Sequence, residues 1–367
     1  MTAPRLEIDL DKIHHNARTL VERLAGLGIS VTGVTKASLG SADIAKVLLR
    51  AGVSALGDSR IENIEAMRSE HVAAPMVLIR SPMLSQADRV VRQADLSFNT
   101  ELAVINRLSC AARAAQRTHQ VVLMVELGDL REGIMPADLN DIVRAVLQLP
   151  NIVLSGIGTN LACHGGISPD ADNMSELSAL ADSVEATFGV SLDLVSGGNS
   201  ANLDWALSGV EIGRINNLRL GEAILLGCEP LHRRPIEGLH LDAITLVGEV
   251  IEAKLKPARP WGTIAQTAFG EASVVACRGD IARAILAIGH QDVDPSGLKA
   301  PIGTRILGAS GDHLITQSDS NHPQVGAEIR FGLNYSALVR AMTSPFVAKV
   351  MMAATYEKPC VPVESHH

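Results

Sequence analysis

The sequence predicts an α/β fold, in which a (β/α)8 barrel is followed by a mainly β C-terminal domain. From residue 11 to about 225, short β-branched runs alternate with longer amphipathic segments, which is typical of βα units around a parallel sheet. Eight such units are present, the number that closes a barrel. After about residue 230 the pattern changes to strand-like alternation and turns.

The eight predicted strands are 29–36, 54–59, 76–81, 95–100, 120–127, 151–160, 192–197 and 215–221. Between them lie segments with apolar residues at helical spacing, for example 42–52, 101–116 and 174–189. The opening LEIDL also alternates like a strand, and we assign it to the β domain.

These patterns predict domain boundaries. We place the barrel at 11–228, and we assign 1–10 together with 229–360 to the β domain. Residues 361–367 form a tail whose last two histidines resemble a purification tag, so we leave them out of any metal argument.

Composition excludes several classes of function. The 367 residues include 40 Asp plus Glu against 32 Lys plus Arg and only 2% aromatic residues, which argues against nucleic-acid binding. No run of about 18 uncharged apolar residues indicates a membrane helix, and the acidic N-terminal segment does not resemble a signal peptide. The five cysteines are widely spaced and never lie at metal-ligand spacing. We therefore expect a cytoplasmic protein without a metal site.

Polar residues stand where the predicted barrel strands end. Because active sites of such barrels lie at the carboxyl ends of the strands, we expect these side chains to meet at one mouth. The candidates are Lys36, Asp58, Arg131, Asn160, Ser196, Asn199, Ser200, Arg219, Gly221 and Glu222.

The loop SGGNSAN, residues 196–202, follows the seventh barrel strand and is a candidate phosphate site. Its glycines permit close backbone approach, while Asn199 and Ser200 add donors at a predicted helix N-cap. The alternative interpretation is an ordinary glycine-rich turn with a helix cap.

Lys36 ends an apolar strand, where an ammonium is costly unless it is paired, altered in pKa or covalently bonded. A lysine in this position can form a Schiff base with an aldehyde. The alternative is a lysine whose ammonium reaches solvent. Lys36 and the phosphate loop, which we expect on opposite sides of the barrel, together favour pyridoxal phosphate (PLP).

Arg219 then falls near the pyridine nitrogen of such a cofactor. A permanently protonated arginine would leave that nitrogen without a proton and make the ring a weaker electron sink, which favours removal and return of a single proton. A structural salt bridge across the barrel is the alternative for Arg219.

The chain resembles the alanine/ornithine racemase family of fold-type III PLP enzymes, and most of all its ornithine racemase branch. The resemblance spans nearly the whole chain in order, and its motifs include LEIDLDKIHHNA, GVTKASLG, LGDLREG, GIGTNLACHGG, SGGNSANL and INNLRLGEAILLG. It implies a PLP-binding barrel, a C-terminal β domain, and a head-to-tail homodimer in which each active site is completed by the neighbour.

The resemblance also implies roles for single residues. It makes Lys36 the Schiff-base lysine and Arg219 the partner of the pyridine nitrogen. Arg131 matches the arginine that contacts the phenolic oxygen and the substrate carboxylate. Ser200 and the backbone N–H groups of Gly221 and Glu222 match the phosphate contacts. Asn160 replaces the histidine that alanine racemases stack on the cofactor, so ring packing must differ here.

One departure concerns the second proton-transfer group. Alanine racemases take a tyrosine from the partner subunit, but the corresponding stretch 259–270 contains none. The resemblance offers Asp292, Asp312 and His313 instead, either as this group or as binders of the distal ammonium of a basic amino acid.

Two further residues have two possible roles each. For Cys163 we favour a non-catalytic role over that of a reactive thiol. For Tyr335 we favour packing against a strand over a position near the cofactor.

These observations together predict a PLP-dependent amino-acid racemase, with ornithine as the first substrate, then lysine or alanine. A non-catalytic PLP carrier is less favoured because such proteins resemble the barrel alone. A PLP lyase that uses a metal is less favoured because the β domain has no H-x-C spacing.

Overall fold

A closed barrel of eight parallel strands forms the first part of the computed structural model, which describes residues 2–269, 279–318 and 323–353. One strand, β1 (Arg5–Asp9), precedes it. The barrel strands are β2 (Ser30–Val34), β3 (Ala55–Asp58), β4 (Met76–Leu78), β5 (Leu96–Asn99), β6 (His119–Met124), β7 (Ile152–Gly158), β8 (Leu194–Gly198) and β9 (Asn217–Leu220). Each overlaps one predicted strand, so the predicted (β/α)8 barrel is confirmed.

Helices surround the barrel; α1 precedes its first strand, and each of the others follows a barrel strand. They are α1 (Leu10–Ala25), α2 (Ala42–Arg50), α3 (Ile61–Ser69), α4 (Ala87–Gln93), α5 (Leu102–Ala114), α6 (Leu139–Val146), α7 (Ala171–Phe188), α8 (Leu203–Ala206) and α9 (Glu222–Leu226). Helix α1 shows why these segments are helical. The Asp9 carboxylate caps its first turn, and Ile13, Leu20 and Leu24 recur on one buried face. In the described ranges, no helix combines the length and apolarity needed to cross a membrane.

Two apolar layers hold the barrel together. The larger lies between the strands and the helices and continues into the C-terminal sheet, and the smaller fills the barrel interior with Val77, Phe98, Val122 and Met124. Because this interior is packed with side chains, we expect a ligand to bind at the mouth, at the carboxyl ends of the strands.

The rest of the described chain is mainly an eight-stranded sheet, which confirms the predicted β domain type. Its remaining strands are β10 (Ile244–Pro257), β11 (Asp280–Leu286), β12 (Leu298–Lys299), β13 (Thr304–Ala309), β14 (Leu314–Ser318), β15 (Glu328–Leu333) and β16 (Ala348–Met352), with α10 (Tyr335–Thr343) between the last two. The predicted tail, 361–367, and the preceding residues 354–360 lie outside the described residues.

The N-terminal strand β1 lies inside this C-terminal sheet. It pairs antiparallel with β10 and parallel with β16, so that Leu6 faces both Leu246 and Lys349. Ion pairs reinforce the position. Arg5 donates to Glu7 at 2.7 Å and to Glu328 on β15 at 2.6 Å, while Arg330 also donates to Glu7.

Replacing Glu7 by glutamine should destabilise the protein by about 2 kcal/mol, because Arg5 is buried and loses a charged partner. The urea midpoint of unfolding measures this. Glu22→Gln is the matched control, since Glu22 pairs with Arg18 on the surface with both side chains more than half exposed, and should change stability by less than about 0.5 kcal/mol.

The effect of Glu7→Gln should also depend on pH. Hydrogen bonds from Arg330 and Arg5 lower the pKa of Glu7 below its ordinary value of 4.5 although burial opposes them. A lowered pKa means that the contribution of Glu7 is complete above 4.5 and is lost as the pH falls through its folded-state pKa. The difference between wild type and variant should therefore shrink in acid; a difference independent of pH would contradict this account.

Candidate active site

A cavity of about 490 Å³ lies at the mouth of the barrel. Eight of the ten predicted site residues line it. Four of them each follow a different barrel strand, β2, β6, β7 and β8 respectively: Lys36, Arg131, Asn160 and Asn199. The other four lie further along the loop after β8 (Ser200), in β9 (Arg219) or directly after β9 (Gly221 and Glu222). Strand ends that are far apart in sequence thus meet, and the volume is that of a small-molecule site.

The other two predicted residues, Asp58 and Ser196, lie behind the lining rather than in it. Asp58 is fully buried and accepts a hydrogen bond from Thr35 Oγ1 at 2.8 Å, next to Lys36. Burial raises the pKa of its carboxyl although four hydrogen-bond donors oppose this. Ser196 is also buried, and its hydroxyl accepts from Arg219 at 2.6 Å. Both residues therefore support lining residues from behind.

Lys36 opens a short 3-10 turn just after β2 and is exposed to the cavity. The argument that it occupies a costly buried position is therefore wrong, because the backbone carries it past the end of the strand. Its Nζ lies 5.7 Å from the centroid of the Tyr335 ring. The phosphate loop is also not opposite Lys36. It follows β8, which is separated from β2 by β9 alone.

Arg219 lies at the floor of the cavity and is 4% exposed. Its guanidinium donates to Ser196 Oγ at 2.6 Å and to the carbonyl oxygen of Thr159 at 2.8 Å, and it stacks 5.0 Å from the Phe98 ring. No carboxylate pairs with it anywhere in the described ranges, so the alternative of a structural salt bridge is wrong. Burial, followed by the charge of Arg131, lowers the pKa of Arg219 to about 10, which leaves it protonated at neutral pH.

Asn160 connects Arg219 to the loop after β8. Its Oδ1 accepts from Arg219 at 3.2 Å and from Asn199 Nδ2 at 3.1 Å, which fixes the orientation of the amide. Its Nδ2 is buried and has no hydrogen-bond partner among the residues described. An unsatisfied buried donor in a cavity wall is costly and indicates an acceptor on a bound ligand.

The loop 196–202 has the backbone that its sequence predicts. Gly198 adopts a φ of 145°, and a Cβ there would stand 2.1 Å from Asn202 Oδ1, so only glycine fits. Asn199 is the predicted helix N-cap and accepts from the N–H of Ala201 at 2.8 Å. The Ser200 hydroxyl accepts from the N–H of Ala223, which leaves its own proton free to be donated.

A buried aspartate holds the loop after β7. Asp129 is fully buried, and its carboxylate accepts from the N–H groups of Cys163, His164 and Gly166 at 3.0 to 3.3 Å. This places the exposed Cys163 in the cavity wall, 3.6 Å from Asn199 Nδ2. Sequence patterns do not identify Asp129, because its function depends on the folded loop.

Three charged lining residues were also missed from the sequence: Arg80, Glu132 and Arg233. Arg80 follows β4, so the rule that strand ends carry the chemistry would have found it. Glu132 and Arg233 lie within longer loops, where that rule gives no signal. Tyr335 also lines the cavity, at the start of α10, so its interpretation as a strand-packing residue is wrong.

Charge in the cavity is strongly positive. Five cations, Lys36, Arg80, Arg131, Arg219 and Arg233, outnumber two carboxylates by three. Both carboxylates are already taken, since Glu132 pairs with Arg131 and Glu222 pairs with Arg233. The cavity therefore suits a ligand with several negative charges, such as a phosphate together with a carboxylate.

None of the three candidates for the second group lines the cavity of its own chain. Asp292 is 6% exposed and accepts from Gly289 N–H and Ser344 Oγ, so its carboxylate is used in hydrogen bonds within the C-terminal part of its own chain. Asp312 is exposed and His313 is half-buried, and the two bond to each other at 2.7 Å. Of the three, these two have the surface position that action on a neighbouring subunit requires.

Within the part of the chain that the structure describes, one cluster of possible metal ligands lies outside this set: Asp204, Glu229 and His232. Arg234 donates to Asp204 at 2.6 Å and to Glu229 at 3.2 Å, so an arginine already supplies the positive charge. Three backbone N–H groups also bond to the Glu229 carboxylate. This arrangement is a structural ion-pair cluster.

The fold and the site are those of a (β/α)8-barrel enzyme whose positively charged mouth suits an anionic ligand, and comparisons with known proteins identify its family. The family model for the alanine racemase N-terminal domain matches residues 8–229. Ornithine racemase of Acetoanaerobium sticklandii is 39% identical over 355 residues, 95% of this chain and 99% of that protein. Lysine racemase of Thermotoga maritima is 38% identical over the same shares. The chain therefore belongs to the alanine racemase family.

A solved structure shows the same fold. Alanine racemase from Bartonella henselae with covalently bound pyridoxal phosphate aligns with a TM-score of 0.73 at 17% identity, over 96% of this chain and all of that one. The predicted family and the barrel-plus-β fold are thus confirmed, and the predicted racemase class is confirmed at the level of the family.

Replacing Asp129 by alanine should loosen the loop after β7, because three N–H groups lose a charged acceptor. We expect hydrogen exchange at Cys163, His164 and Gly166 to accelerate and stability to fall by about 2 kcal/mol. Exchange mass spectrometry and the thermal midpoint measure the two effects. Asp141→Ala, which removes an 83% exposed partner of Arg144, should leave both unchanged; equal behaviour of the two variants would refute the role of Asp129.

Proposed function

We propose that the protein is a PLP-dependent racemase of basic amino acids, with ornithine as the first substrate and lysine as the second. One observation carries the proposal: the buried Arg219 has no carboxylate partner in the described chain, and it lies at the floor of a cavity with Lys36 at its mouth. The names of the two relatives that match over nearly the full chain support the substrate class.

The residues present fit this cofactor. The excess of three positive charges matches a phosphate and a carboxylate, and the unsatisfied Asn160 Nδ2 supplies a donor for a bound acceptor. Ser200 and the N–H groups of Gly221 and Glu222 would hold the phosphate, and Lys36 would supply the amine that binds the aldehyde. When bound, PLP supplies a conjugated ring that withdraws electrons from the substrate α-carbon.

Arg219 determines whether the ring nitrogen of the cofactor would carry a proton. Its guanidinium stays protonated and offers donors only, so Arg219 would donate a hydrogen bond to the ring nitrogen of a bound cofactor and would leave that nitrogen without a proton. Arg131 would hold the phenolic oxygen and the substrate carboxylate, while Lys36 Nζ removes the α-proton on one face and returns a proton there. These fixed charges favour exchange of one proton over cleavage of other bonds.

Specificity for a basic substrate requires a carboxylate for the distal ammonium. Both carboxylates in the cavity are already paired, so a second ammonium would have to displace an arginine or meet an acid from elsewhere. We infer a head-to-tail homodimer in which the partner subunit's Asp312 meets this ammonium. Exposure of the Asp312 side chain at 71% supports this over Asp292.

Alanine is the alternative substrate, because an amino acid without a distal ammonium has no need of Asp312. A metal-dependent lyase is less favoured, since the cluster around Glu229 is held by Arg234. We also propose a cytoplasmic location, which suits the free thiols of Cys110, Cys163 and Cys228.

Lys36→Ala should abolish covalent cofactor attachment and lower racemisation of ornithine at least about 100-fold, because the amine and one proton-transfer group are lost together. Borohydride reduction followed by peptide mapping should label Lys36 in the wild type. Lys46→Ala, on the exposed face of α2, should leave labelling and rate unchanged. Labelling of another lysine would refute the assignment.

Asp312→Asn should raise KM for ornithine and lysine about tenfold and leave KM for alanine unchanged, because one ammonium–carboxylate contact of roughly 1.4 kcal/mol is lost. Steady-state kinetics with each amino acid measure this. Asp280→Asn, an exposed acid on β11, is the matched control and should change no parameter. An equal loss for alanine would contradict the substrate proposal.

A further inference from the structure

Racemisation by proton transfer on two faces of the α-carbon needs a second group opposite Lys36. The stretch 259–270 contains no tyrosine, and neither the two aspartates nor the histidine predicted for this role lines the cavity of its own chain. The inference below rests on the proposed racemase function, and its candidates for the second group are the ionisable residues that line the cavity.

Elimination among the ionisable lining residues leaves two candidates. The four arginines remain protonated at neutral pH and cannot exchange a proton. Glu132 and Glu222 are each held in an ion pair with an arginine. With Lys36 assigned to one face, Cys163 and Tyr335 remain.

Tyr335 lies on the same side as Lys36. Its ring centroid is 5.7 Å from Lys36 Nζ, so it neighbours this amine instead of facing it across the cavity. Burial, followed by the charge of Glu222, raises the pKa of Tyr335 well above its ordinary value of 10. Both observations make it a poor partner for proton transfer opposite Lys36.

Cys163 is placed differently. It follows β7, three strands around the barrel from β2, and it is exposed into the cavity near Arg131. Asp129 fixes its backbone, and Asn199 Nδ2 lies 3.6 Å from its Sγ as a donor to the sulfur. We propose that Cys163 is the second proton-transfer group, supplied by the same chain as Lys36.

The proton balance is simple. In one direction Lys36 Nζ accepts the α-proton, the electron pair of the broken C–H bond stays on the substrate and its cofactor, and the Cys163 thiol donates its proton to the opposite face. Cys163 ends as a thiolate and Lys36 as an ammonium. In the other direction the thiolate accepts the α-proton and Lys36 donates. No oxidant, reductant or further reactant is needed.

The test is exchange of the α-proton in D2O, measured separately for L- and D-ornithine with wild type, Cys163→Ala and Cys163→Ser. In both variants racemisation should fall at least about 100-fold. Exchange of one enantiomer should stay within about threefold of wild type, since Lys36 still serves its face, and exchange of the other should fall at least about 100-fold. Cys110→Ser, on α5 outside the cavity, should behave as wild type.

Two outcomes would overturn the proposal: unchanged exchange of both enantiomers, or an equal fall for both with a raised KM, which a positioning residue would cause. One-sided exchange in Asp312→Asn with normal exchange in Cys163→Ala would assign the role to the partner subunit instead. Failure of the wild type to exchange any amino acid would refute the proposed function itself, a result separate from these.

A second readout does not depend on turnover. Alkylation of the wild type with iodoacetamide, followed by mass spectrometry, should modify both Cys163 and Cys110, since both are exposed. Saturating ornithine should slow modification of Cys163 at least about tenfold without affecting Cys110, because a substrate over the thiol blocks access. Equal modification of Cys163 with and without substrate would place the thiol away from the reacting carbon and overturn the proposal.

Discussion

The arrangement of the site depends on one buried charge without a counter-charge. The Arg219 guanidinium at the barrel floor is held by neutral groups, the Ser196 hydroxyl, the Thr159 carbonyl and the Asn160 amide, with the Phe98 ring against it. Burying an ion in this way costs several kcal/mol that such contacts offset only in part. The remaining cost is recovered when an acceptor binds, so the empty protein is less stable than its complex.

The apolar interior of the barrel and its charged mouth have different roles. The lower interior is filled by apolar side chains and can form without any ligand. Around the mouth, buried acids act as supports: Asp58 holds the turn before Lys36, and Asp129 holds the loop that carries Cys163. Reacting groups are therefore attached to loops whose positions are set from beneath, as preorganised sites require.

Much of the fold was predictable because its periodicities are strong. The eight barrel strands stand out as β-branched runs between amphipathic segments, and strand ends mark eight lining residues. The predictions that were wrong concern the surroundings of single residues in the folded chain. Sequence order does not reveal that Asp292 turns inward or that the start of α10 brings Tyr335 to the mouth. The position of β8 two places from β2 does follow from a ring in sequence order, so placing the phosphate loop opposite Lys36 was an error of reasoning. Burial of Lys36 was misjudged because a short turn carries it beyond its strand.

The place of β1 between β10 and β16 has a consequence for biosynthesis. This strand is translated before the barrel, yet both of its neighbours are translated only after the entire barrel. During that interval the apolar Leu6 and Ile8 must wait without a partner, attached to a helix that already belongs to the barrel. The C-terminal sheet can therefore be completed only after the whole barrel has been translated, and β1 then joins the segment before the barrel to the segment after it.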